Sequence, residues 1–196
     1  MNNPENTRST IVGLLVSGKP STPDRVVDLL LECQLLTRES QNLLGVYPTL
    51  FPAYFLFDEP IPCSDTRIVL GPKESDPEFY DWNHFIPPEY FSKDSKIDQR
   101  SIVFALGILG YKLLAGESFF FTPSPKRGFW AELFKGGVYE SMQKRLRVEL
   151  VPIEEVVPTC PLWLKDLIYR AIAANPDNRF SELDDFFKDL SREKAV

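Results

Sequence analysis

Apolar side chains recur three and four residues apart through much of this chain, the spacing that places them on one face of a helix. Residues 1–9 are polar and predict a flexible tail. Residues 10–17 (TIVGLLVS) predict a short apolar helix or turn, ended by Gly18-Lys19-Pro20. Ser21 or Thr22 then offers an N-cap, Pro23 sits in the first turn and Asp24 lies where a helix N-terminus favours negative charge. The helix so begun is predicted to run to about Ser40, with Val26, Val27, Leu30, Cys33 and Leu36 on its apolar face.

The pattern changes over residues 43–72. Tyr54-Phe55-Leu56-Phe57 and Arg67-Ile68-Val69-Leu70 read as two short strands, joined through a turn rich in Asp, Pro and Ser. Residues 72–97 predict a polar, proline-containing loop with a short helix at 87–91. Residues 99–115 follow as the most hydrophobic helix. Ile102, Val103, Leu106, Leu109, Leu113 and Leu114 cover more than one face, so this helix is expected to be central and buried on most sides, and Gly116 to end it. Beyond a turn-rich loop at 117–128, further helical stretches are expected at 129–134 and 138–147.

Pro161 opens the penultimate helix, whose core face is Leu164, Leu167, Ile168 and Ala171, and Asn175-Pro176 stops it. Ser181 and Asp184 have the spacing of a capping box for the last helix, with Leu183, Phe186, Phe187 and Leu190 turned inward. The expected fold class is mainly α with one small β-hairpin, in one domain over residues 10–192.

Composition narrows the function classes. With 43% hydrophobic and 13% aromatic residues, the 196-residue chain can bury a substantial core. A net charge of -6 disfavours nucleic-acid binding, which relies on Lys and Arg to neutralise phosphates. The longest apolar run, residues 102–114, is broken by glycine and too short to span a bilayer. The N-terminus has no apolar segment of the secretory kind. Cys33, Cys63 and Cys160 follow no CxxC pattern and read as reduced thiols, so a cytoplasmic location is expected. One histidine, His84, is too few for a His-based metal site or a catalytic triad.

Three segments resemble the C-lobe of eukaryotic-type protein kinases. Pro87-Pro88-Glu89-Tyr90 resembles the family's A-P-E segment. Ala105-Leu106-Gly107-Ile108-Leu109-Gly110-Tyr111-Lys112-Leu113-Leu114-Ala115-Gly116 resembles its central helix. Asn175-Pro176-Asp177-Asn178-Arg179-Phe180-Ser181 resembles the P-x-x-R segment before its last helix. In that family the A-P-E glutamate pairs with the P-x-x-R arginine, which implies a structural ion pair between Glu89 and Arg179. The resemblance covers about residues 10–190 and implies a C-lobe-like helical domain without an N-lobe: no G-x-G-x-x-G phosphate loop occurs in the sequence.

The same resemblance implies lost chemistry. Phosphoryl transfer needs a carboxylate to orient the substrate hydroxyl, and a carboxylate and an amide to hold magnesium. The segment similar to the family's H-R-D-x-K-P-x-N loop is Tyr47-Pro48-Thr49-Leu50-Phe51-Pro52-Ala53-Tyr54. There Thr49 stands for the catalytic aspartate, Phe51 for the lysine and Tyr54 for the metal-binding asparagine. The D-F-G segment matches Val69-Leu70-Gly71, with Val69 at the magnesium aspartate. The aspartate that opens the central helix and braces the catalytic loop is Ile102 here. Asp58, Glu59 and Asp65 are nearby carboxylates that read as turn residues.

The function implied is a catalytically inactive, pseudokinase-type scaffold that binds a protein partner, with no cofactor and no catalytic or metal-binding residues. The alternative is a subunit of a split kinase whose N-lobe comes from a second chain. Phe119, Phe120, Phe129, Trp130 and Phe134 form the candidate partner surface, since aromatic clusters are enriched at binding hot spots. Packing inside the domain explains the same rings equally well. Thr122-Pro123-Ser124-Pro125 reads either as a proline-directed phosphorylation site or as a stiff, solvated loop.

Overall fold

A computed structural model describes residues 14, 15, 17–44, 85, 87–91, 98–116 and 150–194. Among these the chain is mainly helical and contains no strand. The expected hairpin at 54–57 and 67–70, and the helical stretches expected at 129–134 and 138–147, lie outside the described residues.

The first long helix, α1, spans Pro23–Leu44. Thr22 caps it, accepting the N–H of Arg25 on its hydroxyl at 3.4 Å and that of Val26 on its carbonyl. Val26, Val27, Leu29, Leu30 and Cys33 are buried. The helix ends four residues beyond the expected Ser40. Residues 38–42 contain neither Gly nor Pro, so nothing in the backbone stops it there. A 3₁₀ turn at Pro88–Phe91 takes the place of the short helix expected at 87–91, and Pro87, Pro88 and Glu89 are all buried.

The central helix, α2, spans Gln99–Ala115, and each of its residues from Ser101 to Ala115 is buried. It packs against α1 and against three later helices: α3 (Ile153–Val156), α4 (Leu162–Ala171) and α5 (Leu183–Lys194). Such all-round burial is what an apolar pattern without a polar face demands. Two glycines set how closely its neighbours approach. A Cβ on Gly107 would lie 2.7 Å from the Ala171 Cβ of α4, and one on Gly110 would lie 3.1 Å from Leu30 Cδ1 of α1. At the far end, Gly116 adopts φ +58°, a conformation that only glycine enters without strain, and its N–H closes onto the Lys112 carbonyl. Ser21 N–H reaches the Leu113 carbonyl at 2.7 Å, fastening the segment before α1 to the end of α2.

The core faces of the last two helices follow the sequence pattern. Leu164, Leu167, Ile168 and Ala171 on α4 are buried, as are Leu183, Phe186, Phe187 and Leu190 on α5. Phe180, Phe186 and Phe187 meet edge to face at centroid distances of 5.5 and 5.3 Å. The end of α4 differs from expectation. α4 stops at Ala171, ahead of Asn175-Pro176; Ile172 still donates to the Ile168 carbonyl and is buried on the same face, at 7% exposure. At α5, the N–H of Leu183 donates to Gln99 Oε1 of α2 at 2.9 Å, so a distant side chain takes part in capping this helix.

Candidate functional site

The start of α2, the 3₁₀ turn at Pro88–Phe91 and the turn after α4 converge on one guanidinium. Arg179 holds Glu89 with both terminal nitrogens: Nη1 donates to Oε1 at 2.8 Å and Nη2 to Oε2 at 2.9 Å. The side chains are 0% and 3% exposed, respectively. Planar, two-pronged pairing of this kind is among the stronger hydrogen-bonded arrangements available to charged groups. Both charges have left water, so loss of either would strand the other.

The remaining donors of Arg179 go to backbone carbonyls. Nε donates to Ala173 at 2.7 Å, Nη2 to Ala174 at 3.2 Å and Nη1 to Arg100 at 3.1 Å. No guanidinium N–H is left over. The carbonyls of Ala173 and Ala174 belong to the turn that follows α4, so Arg179 ties that turn to Glu89 and to the start of α2. The Phe104 ring of α2 covers the guanidinium, with Cζ 4.7 Å from its centroid. Glu89 takes one further bond, from the Ser101 hydroxyl to Oε1 at 2.7 Å.

A second, outer layer surrounds this clamp. Asp98 caps α2 by accepting the Arg100 N–H at 2.9 Å. Its carboxylate also receives Arg100 Nε and Nη2, the latter at 2.7 Å, while Arg100 Nη1 reaches Asp177 Oδ1 at 2.6 Å. The hydrogen bonds to Asp98 raise the Arg100 pKa above its usual value, against the opposing effect of burial. Asn175 caps the 3₁₀ turn Pro176–Asn178 by accepting the Asp177 N–H at 3.0 Å. The Asp177 side chain is 77% exposed, so its bond to Arg100 is worth little by comparison with the buried pair.

Chemically this arrangement is a clamp. Both Glu89 oxygens face protein donors, and the Arg179 fork is saturated by protein acceptors. Ile102 lies one residue beyond Ser101 on α2 and is 1% exposed within the apolar core. Its side chain offers neither a proton acceptor nor a metal ligand. Lys112, also buried on α2, places its ammonium 5.5 Å from the centre of the Phe85 ring. Among the described residues no group of three or more His, Cys, Asp and Glu side chains could hold a metal ion, and no helix is long and apolar enough to cross a membrane.

Of the residues singled out from sequence, Glu89 and Arg179 are brought together and Ile102 sits close by in α2. Thr49, Tyr54 and Val69 lie outside the described residues, as do Phe119, Phe120, Phe129, Trp130 and Phe134. Sequence reasoning missed Asp98, Arg100, Ser101 and Asp177. The legible signal was Asp98 immediately before the first helical residue, a preferred N-cap type. Nothing local announces that Arg100 would reach across 77 positions to Asp177.

No protein-family model matches this chain, and no curated protein sequence matches it.

Proposed function

We propose that this chain is a catalytically inactive domain of protein kinase C-lobe type that serves as a protein-interaction or scaffold module. The observation that carries the reading is the start of α2, where a complete buried clamp sits beside an apolar residue. Glu89, Ser101 and Arg179 satisfy one another with short hydrogen bonds. In the resemblance, an aspartate that braces the catalytic loop belongs where Ile102 is buried.

This combination supports retention of the parts that hold the lobe together and loss of those that would organise phosphoryl transfer. The Thr49, Tyr54 and Val69 substitutions read from sequence point the same way. A carboxylate is needed both to orient the attacking hydroxyl and to hold magnesium, and neither Thr nor Val supplies one.

The test begins with immobilised chain exposed to native extract, followed by identification of the retained proteins and reconstitution from purified components. The expected result is a stoichiometric complex that forms without nucleotide and transfers no phosphate. Complex formation that requires ATP and magnesium, or phosphate transfer on mixing, would overturn the proposal in favour of a split kinase.

A further inference from the structure

We draw no further inference here: the strongest candidate, the side-chain cluster of Tyr169, Glu154, Lys165 and Cys160 where α3 meets α4, consists of contacts that hold α3 in place, with the Tyr169 hydroxyl accepting the Ile153 N–H at 2.9 Å and donating to Glu154 at 3.1 Å, and nothing in the structure points to a ligand or modifying agent there.

Discussion

Arg179 grips Glu89 through both terminal nitrogens, at 2.8 and 2.9 Å, across a sequence separation of 90. Replacing Arg179 by Met leaves Glu89 with the Ser101 hydroxyl alone and strips the carbonyls of Ala173, Ala174 and Arg100 of their donor. We expect R179M to lose roughly 3–5 kcal/mol of stability in urea unfolding, the cost of stranding a buried charge. R179K should rescue little, because a compact ammonium lacks the planar fork that serves several acceptors at once. A loss below about 1 kcal/mol for R179M would show that the pair does not hold the fold together.

The two glycines of α2 make unequal demands. Gly107→Ala forces a methyl against the Ala171 Cβ and Ile172 Cγ2, both at 2.7 Å, and neither can swing away cheaply. It should destabilise by about 1–3 kcal/mol despite the better helix propensity of alanine. Gly110→Ala meets the terminal methyl of Leu30 at 3.1 Å and Ile168 Cδ1 at an ordinary contact distance of 3.4 Å, and should remain within about 1 kcal/mol of the parent. Thermal melting of the two variants side by side checks the order. Equal losses would mean that α4 does not approach Gly107 so closely.

Gln99 caps a helix that begins 84 residues later. Gln99→Ala should cost about 1 kcal/mol, typical of a lost cap, and raise amide exchange at Leu183. Gln99→Glu keeps an acceptor and adds a charge favourable at a helix N-terminus, so it should restore protection. Unaltered exchange at Leu183 in Gln99→Ala would rule out the cap.

Burial on α1 pushes the Cys33 thiol up to about 12, with Glu32 adding to the effect. The unfolded chain therefore loses this proton first as pH rises. Stability from this group is complete below the ordinary thiol pKa near 8.5 and falls as pH climbs through 9 towards the folded value, by at most about 1.4 kcal/mol per pH unit. The buried Tyr111 hydroxyl is also raised, chiefly by desolvation, and acts in the same sense at higher pH. Urea midpoints of the parent and Cys33→Ala between pH 7 and 11 check this. The variant should show the shallower alkaline decline, and parallel curves would refute it.

The fold was legible where burial alone decides structure. α2 could be read from its apolar run because a helix buried all round needs no partner to be recognised. The inward faces of α4 and α5 followed from spacing in the same way. Helix ends were less legible because their determinants are remote. The turn after α4 is held by Arg179, which takes up the carbonyls of Ala173 and Ala174, while the Leu183 N–H at the start of α5 goes to Gln99. Of the clamp, Glu89 and Arg179 stood out through the kinase resemblance. Ser101 did not, since a small hydroxyl at the head of an apolar helix looks like ordinary helix-start chemistry until its acceptor is known.

The proposal that this chain is a kinase-like lobe without nucleotide chemistry is tested most directly by calorimetric titration of the purified chain with ATP and magnesium. The account predicts no binding heat at millimolar nucleotide and no change in melting temperature. A saturable heat with one site per chain, abolished by chelating the magnesium, would contradict it.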